Sequence, residues 1–209
     1  HTRFKCDWSS DVCSSDLEAD YYRLPRAAHI DHETVRIFQA LGLAGRVMAS
    51  SRQVSRYDFL TADRRVLMRF DGLDAIASGG WPAGNMIHQP SIEAALREAI
   101  GESASIDLRT QWKLTRLAQG VSGAKAEFAT PDGPATLSAR YIVGADGARS
   151  TVRTAAGIAL DDLEFDEPWL VIDAIVHDAS RLPDINLQIC DPERPKAAGL
   201  PPRQSLDLT

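Results

Sequence analysis

The run Tyr141-Ile-Val-Gly-Ala-Asp-Gly-Ala-Arg-Ser-Thr-Val-Arg153 constrains the fold of this chain more than any other stretch. Tyr141 to Val143 reads as a short apolar strand of the buried type. Gly144 and Gly147 mark a turn, and Ser150-Thr-Val-Arg153 opens a helix. A strand that passes through a glycine turn into a helix belongs to an α/β layer, and open layers of that kind bind ligands beyond the carboxyl ends of their strands. Glycine lets a ligand approach the backbone closely, and a helix N-terminus offers N–H groups to phosphate. Asp146 is anionic, so it suits the hydroxyl donors of a sugar or polyol, or a bridging water, better than a phosphate. Arg149 and Arg153 offset its charge. An exposed turn is the better explanation of an isolated Asp-Gly pair, but not of the whole thirteen-residue run.

The remaining pattern alternates helices with strand pairs. Asp31 is placed to cap a helix whose apolar stripe is Val35, Phe38 and Leu41, with Gly42 at its end. Val54–Leu60 and Arg65–Phe70 flank a turn and predict a hairpin. Breakers follow at Gly79-Gly80-Trp81-Pro82 and Gly84-Asn85, and Pro90 starts a second helix carrying Ile92, Leu96 and Ile100 on one face. Ser105–Leu117 predicts a strand pair, residues 126–130 and 135–140 a hairpin, and Trp169–Val176 and Ile185–Ile189 two further strands.

Bulk properties exclude several classes. The formal charge of -6 over 209 residues, without a Lys/Arg run, gives no electrostatic footprint for nucleic acid. No apolar run approaches the roughly 20 residues that span a bilayer, so no membrane partner is expected. Cys6, Cys13 and Cys190 make no disulfide framework, which favours a reducing, cytoplasmic setting. His29, His32 and His88 lack the H-E-x-x-H spacing of a metal site, so they are read as helix-border and loop residues. Residues 1–17 read differently from the rest. Asp7-Trp-Ser-Ser-Asp-Val-Cys-Ser-Ser-Asp-Leu17 has no structural period and matches, residue for residue, the translation of a common short-read sequencing adaptor. The segment is expected to be foreign and disordered, which leaves Cys190 as the native cysteine.

The run from Tyr141 to Arg153 resembles the "DG" motif of the class A FAD-dependent aromatic hydroxylases, the p-hydroxybenzoate hydroxylase-like superfamily. Three stretches agree with that family in the same order: Leu24–Leu43, Trp81–Pro90, and Ile189–Pro195, the last resembling the 3-(3-hydroxyphenyl)propionate hydroxylase branch. The fold class implied is α/β, a fragment of a Rossmann-like FAD-binding domain interleaved with a β-rich substrate domain. Residues 18–50 and 89–160 would belong to the first, and 51–88 and 161–209 to the second.

The resemblance implies FAD as cofactor, NAD(P)H as co-substrate, and a small phenolic substrate hydroxylated with O2. It implies that Arg26 lies near the flavin and its phosphate chain, that Gln89 contacts the ribityl or isoalloxazine edge, and that Asp146 and Gly147 bind the cofactor. No protein nucleophile or base is implied, because the cofactor carries the hard chemistry. Trp81 is a candidate cover for an aromatic substrate, with core packing as the plainer role. The 209 residues contain no G-x-G-x-x-G phosphate loop and no later "GD" segment, so the chain is expected to be truncated at both ends and inactive alone. The alternatives are a non-catalytic nucleotide-binding module and another flavin oxidoreductase of the polyketide hydroxylase or epoxidase type.

Overall fold

The computed structural model describes residues 12–16, 18–21, 27–164, 178, 185–193 and 196–198. They divide into two units, His1–Tyr21 with Ala99–Leu170, and Tyr22–Glu98 with Val171–Thr209.

In the second unit, α1 (His32–Ala40) begins where the sequence predicts. The Asp31 carboxylate accepts from the Thr34 N–H and hydroxyl, each at 2.8 Å, satisfying an N–H that the first turn leaves without a partner. Gly42, at φ +74°, ends the segment. Leu41, expected on the buried stripe, lies past the last helical turn and is exposed. A short α2 (Ala44–Ala49) follows, and α3 spans Gln89–Glu102, with residues 89–98 in this unit. Val47 of α2, Ile87 and Ile92 of α3 form a buried cluster joined by Ile30, Phe38 and Leu96.

The same unit contains two sheets. β2 (His29–Ile30) and β3 (Arg52–Gln53) both pair antiparallel with β6 (Asn85–Met86). The predicted hairpin forms from β4 (Arg56–Thr61) and β5 (Val66–Asp71). On its other side β4 pairs in parallel with β11 (Asn186–Cys190), which pairs antiparallel with β12 (Lys196–Ala198). The pairings with β6 bring residues 29–30 and 52–53 onto either side of residues 85–86.

In the first unit β9 (Gly123–Thr130) and β10 (Gly133–Ala139) form the predicted hairpin, and β8 (Lys113–Gly120) pairs with β9 to complete an antiparallel meander, so the two strands expected in Ser105–Leu117 do not pair with each other. Ala126 and Phe128 supply its buried side, and Trp112 packs on Phe128 at 5.4 Å between ring centroids. β7 (Ile106–Arg109) pairs in parallel with β1 (Val12–Ser15).

Two expectations are corrected here. Val12–Ser15 is a strand rather than disordered: ladder bonds to β7 need only backbone groups, and Asp16 extends them by donating to the Arg109 carbonyl at 2.8 Å. Tyr141–Val143 is not a strand. Tyr141 and Val143 are 76% and 87% exposed, because an apolar triplet becomes a buried strand only beside neighbours, and none of the described strands flanks it. Trp169–Val176 and Trp8 lie outside the described residues.

Candidate functional site

The turn after Tyr141 is built by its own polar groups. α4 (Thr151–Ala155) starts at Ser150, whose hydroxyl oxygen accepts from the Arg153 N–H at 2.9 Å. The Ser150 hydroxyl in turn donates to the Asp146 carboxylate. The other Asp146 oxygen accepts from the Thr151 N–H at 2.6 Å and the Val152 N–H at 3.1 Å. Asp146 and Ser150 together cover three of the helix's open donors. The Ser150 hydroxyl first, then the Val152 and Thr151 amides, hold the Asp146 carboxyl below the ordinary carboxylate range.

The two glycines differ in what they allow. A Cβ on Gly144 would come 2.8 Å from the Val152 Cβ, so the turn lies tight against α4. Gly147 adopts φ +75°, and its open side meets nothing within 4 Å. Arg153 folds back onto the Ala148 carbonyl at 2.8 Å, and Arg149 is exposed. A cavity of about 800 Å³ adjoins the turn, lined among others by Val121, Tyr141, Gly144, Val152 and Ile158.

This geometry decides which part of a dinucleotide the turn suits. Phosphate is excluded at the start of α4, because the N–H groups there already serve Asp146 and Ser150. A carboxylate has about four acceptor positions. Three are filled within the turn, and the remainder fits a hydroxyl donor such as a polyol chain, with Gly147 leaving the backbone approachable.

The other expected site residues belong to the second unit. Arg26 lies outside the described residues. Gln89, the first residue of α3, accepts through Oε1 from the Ala27 N–H at 2.9 Å, and its Nε2 donates to Glu93 at 3.5 Å. It therefore anchors the residue that follows Arg26. His29 lies on β2, where burial lowers its pKa and the Asp31 carboxylate partly restores it. The His88 Nδ1 is 2.8 Å from the Ser91 hydroxyl, and the His32 Nδ1 is 3.4 Å from Glu33. Trp81 is half-buried and donates through Nε1 to Gln39 at 2.8 Å, which ties the loop to α1.

Several polar residues escape the sequence reading. Asn85 is fully buried on β6 and donates to the Pro82 carbonyl at 2.8 Å, and among the described residues its Oδ1 has no partner. Asp58 is buried on β4, and Arg69 grips it with two bonds of 2.8 and 2.9 Å. That pairing holds the Asp58 carboxyl below its ordinary value, with Arg56 adding to it. An Asp amid alternating Tyr and Phe is the only sequence signal for it.

The chain belongs to the flavin-binding class. The family described as FAD binding domain matches residues 12–206, and the chain belongs to that family. It is similar to the probable NADH-specific resorcinol 4-hydroxylase of Rhodococcus jostii (strain RHA1), with 37% identity over 179 residues, covering 84% of this chain and 33% of that protein. It is also similar to the 3-(3-hydroxy-phenyl)propionate/3-hydroxycinnamic acid hydroxylase of Mycolicibacterium smegmatis, with 31% identity over 83% of this chain and 30% of that protein. Among solved structures it resembles the flavin-dependent monooxygenase PieE in complex with FAD and substrate, at a TM-score of 0.62 and 25% identity, over 72% of this chain and 28% of that one. The chain thus spans about a third of the length of the curated relatives it matches. No helix among the described residues is long and apolar enough to cross a membrane.

Proposed function

We propose that a full-length protein carrying this chain is an FAD- and NAD(P)H-dependent monooxygenase that hydroxylates a small phenolic compound with O2. The observation that supports this most is the Asp146–Gly147 turn, with one acceptor position left for a polyol, inside a chain of the FAD-binding family. The names of the similar proteins, a resorcinol hydroxylase and a hydroxyphenylpropionate hydroxylase, support the phenolic substrate.

In this reading Asp146 accepts from a ribityl hydroxyl and Gly147 lets the chain pass close to the backbone. Arg26 pairs with the phosphates, as a guanidinium does bidentately. Gln89 holds Ala27, the residue after Arg26, and presents its amide to the flavin edge. Residues 18–50 and 89–160 contribute to the cofactor part, and residues 51–88 and 161–209 to the substrate part. Bound FAD would supply electron transfer from the nicotinamide and oxygen transfer to the ring. The 209-residue chain, which contains no G-x-G-x-x-G loop, holds FAD only weakly by itself.

The test is turnover by a full-length protein with NADH or NADPH, O2 and resorcinol. The expected result is substrate-stimulated nicotinamide oxidation, with a product heavier by one oxygen atom in roughly equal amount. Nicotinamide oxidation that no phenol stimulates, with no oxygenated product, would refute the reading.

A further inference from the structure

The sequence contains three Asp-Gly pairs, Asp71–Gly72, Asp132–Gly133 and Asp146–Gly147. Such a pair can react with itself. The backbone nitrogen of the glycine adds to the aspartate Cγ, the carboxyl hydroxyl leaves as water, and a five-membered succinimide forms. Water then opens either carbonyl of the ring. One opening gives back aspartate, and the other gives isoaspartate, whose backbone runs through Cβ and Cγ. One water is lost and one is gained, so no oxidant, cofactor or second reactant is needed. Glycine is the favoured second residue because it has no Cβ to shield its nitrogen or restrict its backbone.

The three sites differ in what holds the carboxyl group. Gly72 and Gly147 form a matched pair, with φ of +70° and +75°, and a Cβ on either would meet nothing within 4 Å. Asp71 and Asp146 are both exposed. Their carboxyl groups are nevertheless held differently. Asp71 is the last residue of β5, and among the described residues no hydrogen bond holds its carboxylate, which acts on Arg69 only through space. The Asp146 carboxylate accepts from the Ser150 hydroxyl and from the Thr151 and Val152 amides at 2.6 and 3.1 Å. Those donors lie four to six residues ahead, so Cγ must give them up before the Gly147 nitrogen can bond to it. The same donors keep the group ionised, and a carboxylate accepts a nucleophile far less readily than a carboxylic acid. Asp132 stands between the two. Its carboxylate has no hydrogen bond among the described residues, but the Thr130 hydroxyl donates to the Gly133 carbonyl at 2.7 Å and pins the glycine in the turn between β9 and β10.

We propose that Asp71 is a site of spontaneous conversion to isoaspartate, and that the cap formed with Ser150 and α4 protects Asp146 from the same reaction. The cap then has a chemical role beside its structural one. Isoaspartate at position 146 would carry its carboxylate directly on Cα and lengthen the turn by one backbone atom, which removes the acceptor from its place. At position 71 the change falls at the end of an edge strand. The inference is independent of flavin and of substrate.

The test is to age the 209-residue chain in warm neutral buffer and to map isoaspartate by peptide mass spectrometry. Trypsin cuts after Arg69, Lys125, Arg140 and Arg149, which places each pair on its own peptide. Isoaspartyl peptides keep their mass, separate by chromatography, and are identified by electron-transfer fragmentation. In the folded chain Asp71 should convert at least about tenfold faster than Asp146, the factor expected from hydrogen bonds to a charged group. In urea the two rates should converge. Ser150→Ala should raise the rate at Asp146 several-fold towards that of Asp71, while Ser150→Thr, which keeps the hydroxyl, should leave it low. The rate at Asp132 reports folding: if Ser150→Ala unfolds the chain, that rate rises to its value in urea, and the wild-type ratio of Asp71 to Asp146 decides. Equal rates at Asp71 and Asp146 in the folded wild type, or an Asp146 rate unchanged in a folded Ser150→Ala chain, would overturn the proposal.

Discussion

The turn around Asp146 and the cluster around Val47 are opposite solutions to holding a segment in place. Val47, Ile87 and Ile92 are buried against one another, and Val47 is 1% exposed. The turn has almost no buried apolar contact: Tyr141 and Val143 face solvent, and Ser150 is its one buried residue. Its shape comes instead from Asp146, Ser150 and three backbone amides. The packed cluster resists change through volume, whereas the turn resists it through hydrogen bonds that a ligand can join.

The largest effect separating the two regions should come from Val47→Ala, which removes two buried methyl groups and leaves a cavity. A loss of about 2 kcal/mol is expected in urea unfolding. Val143→Ala, a change of the same size at an exposed position, should cost less than about 0.5 kcal/mol. Equal losses at the two sites would break the contrast. Next comes Gly144→Ala, whose new Cβ meets Val152 at 2.8 Å. It should cost about 1 kcal/mol by the same assay, because the neighbour is part of a helix and must shift. No loss there would mean that the turn is not held against α4.

The smallest effect is in acid. The Asp146 carboxyl is held low in the folded chain, so the stability it contributes is complete above the ordinary carboxylate value of about 4 and is lost as pH falls through the folded value. Asp146→Asn should therefore differ from wild type at pH 7, with the difference shrinking below about pH 4. Asp58, lowered by Arg69, gives a parallel acid loss that this substitution leaves untouched. A gap between wild type and Asp146→Asn that is constant with pH would contradict the cap.

Much of the fold is legible in the sequence because its signals are local. Asp31 and Gly42 bracket α1, Pro90 sits at the start of α3, and alternation around a turn marks β4 and β5. Non-local pairing is less legible. Nothing in His29–Ile30 or Arg52–Gln53 announces that both flank Asn85–Met86. The strand at Val12–Ser15 is hidden for the same reason, since it depends on the edge of β7 rather than on its own residues. At the candidate site, Asp146 and Gly147 stand out in a recognisable run, but the cap does not. The same carboxylate suits both a ligand hydroxyl and a helix N-terminus, and only geometry shows that the second use takes three of its acceptor positions. The hydrogen bond from the Tyr57 hydroxyl to Gln188 is illegible because 131 residues separate the two.

The most direct measurement is a flavin titration of a full-length protein carrying this chain, wild type against Asp146→Ala. The wild type should bind one FAD per chain, and the variant should bind it at least about tenfold more weakly, in line with a lost charge-assisted hydrogen bond and a loosened turn. Equal affinity in the two proteins, or no flavin binding by the wild type, would contradict a cofactor role for the turn.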